Sequence, residues 1–237
     1  MNYLLQPLGD QALRIEWTDK DIAIRTICAK LSSSKILGVV DIVPGISSIT
    51  IFYEYPTTDY YILKEKVIGF LEDMPVYESD VSSRTVLLPV LYDGPDLADL
   101  AGKHQTSVKE IIEKHSGAAY EVAMLGFLPG FPYLNGLPSS LTTPRLATPR
   151  SKVPAGSVGI GGDQTGVYPV ESPGGWNLIG RTPIPLFSPD EKDSFLMQAG
   201  DKVRFQPVSE EEFNLWQEKV SQSDWKKEVI IYHEKND

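Results

Sequence analysis

More than half of the chain's 19 glycines and 18 prolines fall between residues 125 and 187, and that concentration limits the fold more than any other feature. Inside a helix, glycine costs about 1 kcal/mol and proline about 3 kcal/mol relative to alanine. Proline lacks an N–H and clashes with the preceding turn. Short apolar runs such as Val158-Gly159-Ile160 lie between these breakers. The segment therefore reads as short strands joined by tight turns, in a barrel or sandwich. Around it, residues 85–92 read as a buried strand containing Pro89, and helices are expected over 96–103 and 107–115. The second opens with a capping box, Ser107-Val108-Lys109-Glu110. Residues 195–198 and 202–206 read as strands around Gly200-Asp201, 209–220 as a capped helix and 229–233 as a last strand.

The first third has a different texture. Leu13, Ile15 and Trp17 alternate with Arg14 and Glu16, the period of a half-buried strand. Thr18-Asp19-Lys20-Asp21 approximates a helix-opening capping box, followed by Ile24, Ile27, Cys28 and Leu31 at helical spacing. Strands over 39–43 and 49–53 flank a turn at Pro44-Gly45. A helix over 59–71 is expected to turn Ile62, Leu63, Val67 and Phe70 inward. The resulting order, ββαββα, fits helices on one face of a mainly antiparallel sheet. Residues 72–83 are polar and lose periodicity, which puts a domain boundary near residue 82: an N-terminal α/β domain over 1–82 and a second domain over 83–237.

Composition narrows the function classes. The formal net charge is −10 and Lys226-Lys227 is the only adjacent basic pair, so a nucleic-acid partner is not expected. No run approaches the ~20 apolar residues of a membrane span. The N-terminal patch Tyr3-Leu4-Leu5 lacks a basic flank, so no secretory leader is expected. Cys28 is the sole cysteine and reads as a small core side chain in a reducing cytoplasm. His104, His115 and His233 are scattered without ligand spacing, so no metal site is expected.

The chemistry-bearing residues cluster in the Gly/Pro-rich segment. Gly126-Phe127-Leu128-Pro129-Gly130-Phe131-Pro132-Tyr133-Leu134 combines rigid aromatics with permissive backbone. Its rings either line an ordered site or pack into a barrel corner. Arg145 and Arg150, each preceded by proline, carry forks suited to carboxylate or phosphate, unless they are ordinary surface arginines. Residues 157–168 mix glycines with Ser157, Gln164, Thr165 and Tyr168, and successive N–H groups there can form an anion-binding nest. No P-loop occurs, and Gly159-x-Gly161 lacks the third glycine of a dinucleotide fingerprint. Trp176 either stacks on a planar ligand or plugs the barrel.

These stretches, with Val153-Pro154-Ala155-Gly156-Ser157-Val158-Gly159-Ile160, Gln164-Thr165-Gly166-Val167-Tyr168-Pro169, Ser172-Pro173-Gly174-Gly175-Trp176 and Gly180-Arg181-Thr182-Pro183, resemble the allophanate hydrolase subunit 1 family, also called carboxyltransferase domain subfamily 1. The resemblance implies an α+β fold, with a small N-terminal α/β domain and a C-terminal cyclophilin-like β-barrel. It implies the role of the B-type subunit of an ATP-dependent 5-oxoprolinase, which converts 5-oxo-L-proline to L-glutamate together with an A-type subunit (LamB/YcsF-like) and a C-type subunit (carboxyltransferase subfamily 2). Family members also include Kip-type inhibitors of a sporulation sensor histidine kinase, the alternative role. Fused relatives belong to biotin-dependent urea carboxylase, but no biotin-attachment module is expected here. Under the first role, Arg145, Arg150 and Arg181 would hold phosphoryl and carboxylate groups, with Gln164 and Tyr168 positioning the lactam. His115 is the candidate for proton transfer. Phe127, Phe131, Tyr133, Ser157, Thr165 and Trp176 complete the expected substrate site. ATP is expected at the level of the complex.

Overall fold

The computed structural model describes residues 2–18, 24–73, 84–191, 193–222 and 225–232. Contacts divide the chain into two compact units, Met1–Val81 and Ser82–Asp237. Together they make a mixed α+β structure, with six helices among the described residues.

The first unit runs β1 (Tyr3–Pro7), β2 (Ala12–Trp17), α1 (Ile24–Ser33), β3 (Val39–Pro44), β4 (Ser48–Tyr53) and α2 (Tyr60–Glu72). Its sheet has the order β1-β2-β4-β3 and is antiparallel throughout. Alternation along β2 and β4 turns Leu13, Ile15, Trp17, Ile49, Ile51 and Tyr53 to the core, where Ile24, Ile27, Cys28 and Leu31 of α1 meet them. The Asp59 carboxylate caps α2 by accepting from the Ile62 N–H at 2.9 Å. In α2 the buried residues are Leu63, Val67 and Leu71, one every four positions. That stripe leaves Ile62 half exposed rather than inward, and Phe70 only packs against its edge. The expected capping box at 18–21 and the boundary near residue 82 extend outside the described residues.

The second unit contains β5 (Arg84–Val90), α3 (Leu97–Lys103), α4 (Val108–Gly117), β6 (Tyr120–Leu125), β7 (Pro132–Asn135), β8 (Arg150–Val153), β9 (Ser157–Gly161), β10 (Gln164–Val167), β11 (Ser172–Gly174), β12 (Asn177–Arg181), β13 (Lys202–Pro207), α5 (Glu210–Val220), α6 (Lys226–Val229) and β14 (Ile230–Tyr232). Eight strands form one sheet in the order β12-β9-β10-β7-β6-β13-β5-β14, while β11 pairs with β8 alone. A single bridge, with Leu91 and Arg181 exchanging N–H···O bonds of 2.9 Å, links the end of β5 to β12. The expected barrel is therefore not closed by a continuous ladder. Pro89 is tolerated inside β5 because β14 pairs only with Arg84–Val86, leaving no partner at Pro89 on that side.

Two local expectations change. Residues 195–198 form no strand and contribute only a bridge from Phe195 to Phe187. Ser107 caps α4 through the Glu110 N–H, but the Glu110 carboxylate goes to Thr106 and Lys114 instead of closing the box. The reciprocal box forms at Ser209 and Glu212 on α5.

Candidate functional site

Side chains of β9 and β10 alternate between the two faces of the sheet. Val158, Ile160 and Val167 enter the large core, with Thr165 on the same side. The opposite face carries Gly159, Gly161, Gln164 and Gly166, with Gly161 paired to Gln164 and Gly159 to Gly166. A Cβ on Gly161 would lie 2.5 Å from Trp176 Nε1, and one on Gly166 would lie 3.1 Å from Trp176 Cζ3. The indole thus rests on bare backbone. These glycines belong to paired strands, and their missing side chains admit a ring where a nest for an anion was expected.

Trp176 joins Phe131, Tyr168, Val153 and Leu178 in a second, smaller core, with Leu128 and Tyr133 packed against it. Phe131 is the hub, meeting Tyr133, Tyr168 and Trp176 at centroid distances of 5.1, 5.2 and 5.4 Å. Phe127 packs edge-on to Phe131 at 5.6 Å but remains exposed. It sits at φ +68°, with the Leu128 N–H donating back to the Gly126 carbonyl at 2.8 Å. That is a γ-turn of the strained hand. Bonds from Gly126 N–H to the Phe131 carbonyl and from Phe131 N–H to the Leu128 carbonyl close the loop around it.

Two arginines edge this aromatic cluster. The Arg145 guanidinium lies 5.8 Å from the centre of the Trp176 ring. Its backbone is pinned on both sides: Asn177 Nδ2 donates to the Pro144 carbonyl at 2.9 Å, and the Leu146 N–H donates to the Gly175 carbonyl at 2.7 Å. Arg150 donates through Nη2 to Asp96 Oδ1 at 2.6 Å and through Nη1 to the Trp176 carbonyl at 3.4 Å. Burial raises the pKa of the Tyr168 phenol, opposed by a backbone hydrogen bond from Trp176 and by the Arg145 charge, with a smaller contribution from Arg150. Both guanidiniums therefore act on the same phenol. Gln164 shares the glycine face and donates to Asn135 Oδ1 at 3.4 Å.

The remaining predicted residues lie elsewhere. His115 is fully buried in the main core, stacked on Phe205 at 4.6 Å. Thr165 Oγ1 donates to the Gly159 carbonyl at 2.9 Å, so it accepts from His115 Nε2 at 2.9 Å. Nδ1 is then the acceptor for the Tyr92 hydroxyl at 2.8 Å. Burial lowers the His115 pKa to about 3, which keeps the imidazole neutral and inside the fold. The Arg181 guanidinium pairs with Asp93 at 2.8 Å and lies 4.5 Å over Phe213 of α5. Ser157 is buried at the start of β9, paired with Arg181. The cluster thus gathers Arg145, Arg150, Phe127, Phe131, Tyr133, Tyr168 and Trp176, with Gln164 on the same face.

Sequence reasoning missed Asp96, Asn177 and Asn135. Asp96 is the N-cap residue of α3, yet its side chain makes no cap bond and turns away to Arg150 and the Leu178 N–H. Among the described residues no group of three or more His, Cys, Asp or Glu is placed to hold a metal ion. No described helix is long and apolar enough to cross a membrane.

Residues 3–197 match the family described as carboxyltransferase domain, subdomain C and D, and the chain belongs to that family. It is 36% identical over 240 residues to the B subunit of 5-oxoprolinase from Bacillus subtilis (strain 168), covering 92% of this chain and 98% of that one. It is 47% identical over 172 residues to the Haemophilus influenzae protein of the same name, covering 70% of this chain and 78% of that one. Among solved structures it is similar to TTHA0988, with a TM-score of 0.73 and 30% identity over 84% of this chain. The match spans only 40% of the TTHA0988 chain.

Proposed function

We propose that this chain is a B-type subunit of an ATP-dependent 5-oxoprolinase, working with an A-type subunit of the LamB/YcsF kind and a C-type subunit of carboxyltransferase subfamily 2. Similarity to the Bacillus subtilis 5-oxoprolinase protein along nearly the whole of both chains supports the reading. The observation that carries it is Arg145, a guanidinium exposed over Trp176 with no ion pair to a carboxylate among the described residues. The substrate of such an enzyme, 5-oxo-L-proline, keeps a carboxylate throughout the reaction. Opening an unstrained lactam also builds negative charge on the carbonyl oxygen, which fixed cationic donors stabilise.

Arg145 and Arg150 match those two needs, since a planar fork binds carboxylate or a transferred phosphoryl group with two parallel hydrogen bonds. Tyr133 and Phe127 would flank the ring of the substrate, with Gln164 supplying an amide beside them. Tyr168 and Trp176, both buried, stiffen the wall behind the arginines. His115, Thr165 and Ser157 support the fold under this reading, and Arg181 braces the loop after β5. The glycine face of β9 and β10 offers no open phosphate nest, because the indole covers Gly161 and Gly166. ATP is assigned to the complex as a whole. The same reading carries a cyclophilin-like barrel for residues 83–237, a separate domain for 1–82, and a cytoplasmic location.

The test is reconstitution with the A-type and C-type subunits. The Arg145→Ala/Arg150→Ala double variant should lose turnover of 5-oxoproline by about a hundredfold or more, while its circular dichroism spectrum stays that of a folded protein even where loss of the Asp96 partner lowers the melting point. Near-normal turnover removes the arginines from the mechanism. A second reading, inhibition of a sensor histidine kinase, is favoured only by the exposure of Phe127 on its strained turn. Co-purification with a kinase in place of the other oxoprolinase subunits would select it.

A further inference from the structure

The Asp96 carboxylate is buried and each of its oxygens has one short bond. Oδ1 accepts from Arg150 Nη2 and Oδ2 from the Leu178 N–H, both at 2.6 Å. The ion pair is lopsided, with the aspartate side chain 10% exposed and the arginine side chain 29% exposed. The acid sits inside and the guanidinium faces out. A guanidinium has five N–H donors, and the bonds to Asp96 and the Trp176 carbonyl use two of them. The others remain for a ligand. Asp96 is itself held: the loop before α3 lies along β12, with Gly94 N–H donating to the Ile179 carbonyl at 3.2 Å and Asp96 N–H to the Leu178 carbonyl at 3.1 Å. A side chain on Gly94 would strike that strand backbone.

We propose that Asp96 is the positioning residue for Arg150, orienting its fork toward the substrate anion shared with Arg145; this rests on the 5-oxoprolinase reading above. The carboxylate touches no substrate. It fixes one edge of the guanidinium so that the opposite edge meets the ligand without a search over rotamers, which lowers the entropy cost of binding.

The test uses the reconstituted complex and a double-mutant cycle. Asp96→Asn keeps an oxygen for the Leu178 N–H but loses the charge that holds Arg150. It should raise KM for 5-oxoproline about tenfold, with kcat changed far less. Arg150→Ala should raise KM at least as much, and Asp96→Asn added to Arg150→Ala should raise it no further. Multiplying effects would show that Asp96 acts independently of Arg150 and overturn the proposal. An Arg150→Ala variant with unchanged kinetics would remove the anion site itself, and Asp96 with it. Arg150→Lys guards against a misfolded Asp96 variant. Lysine can keep the pair with Asp96 but lacks the fork, so the protein should melt normally and show the raised KM, whereas unchanged KM counts against an oriented fork.

Discussion

At the scale of single residues, burial decides which titratable groups can work as acids or bases. His115 carries the imidazole a proton-transfer role requires, but it lies wholly inside the main core, bonded to Tyr92 and Thr165 and stacked on Phe205. Desolvation holds its pKa near 3 against an ordinary value of 6.5. The unfolded chain therefore takes up a proton on His115 first as pH falls. Stability from the neutral imidazole is complete above pH 6.5 and drains as pH drops toward 3, by about 1.4 kcal/mol per pH unit at most. His115→Asn removes the titrating group. That variant should be less stable at pH 7, having lost the stacked ring, yet its urea midpoint should depend less on pH between 6.5 and 4 than the unaltered protein's. An equally steep dependence in both would place the acid sensitivity on other groups.

At the scale of elements, the glycines of β9 and β10 act together. Each leaves space on one face, and the three spaces line up only because the strands pair in the observed register. Gly161→Ala puts a methyl 2.5 Å from the Trp176 indole. The ring is packed by Phe131 and Tyr133 at its edges and cannot slide away freely. The substitution should cost roughly 1–3 kcal/mol and shift tryptophan fluorescence, because the indole must lift off its floor. An unchanged spectrum and melting point would mean that the indole does not rest there. This element also shows what can be read from a sequence. Patterns confined to one strand or helix were legible: Leu13, Ile15 and Trp17 on β2, the four buried positions of α1, and the cap at Ser209. The arginines and aromatics of the site were legible as types beside stiff backbone. Their partners were not. Asp96 meets Arg150 across 54 residues and His115 meets Thr165 across 50, separations over which spacing carries no information. Asp96 also opens the helix expected over 96–103, so the local reading hid the distant one. Whether Trp176 stacks on a ligand or plugs the fold depended on strand register, which periodicity leaves open.

At the scale of the whole molecule, the two units have separate cores. The inward residues of β2, β4, α1 and α2 form one cluster, and the main core and aromatic cluster of the second unit include none of them. The candidate site lies entirely within residues 84–232. Weakening the first core should then loosen the first unit without dissolving the site. Leu63→Ala is suited to the question, because Leu63 is fully buried in the first cluster and a large-to-small change at such a position costs about 2–5 kcal/mol. Native-state hydrogen exchange read by mass spectrometry should show faster exchange in peptides from β1 to α2. Peptides from β5, β9, β10 and β13 should keep their protection, since opening within one cooperative unit leaves the hydrogen bonds of another intact. Tryptophan emission offers a weaker check, since Trp17 belongs to the first core and Trp176 to the site. Loss of protection spread evenly over both units would show that the chain opens as a single cooperative body, in which case the first unit contributes directly to the stability of the arginine-bearing face.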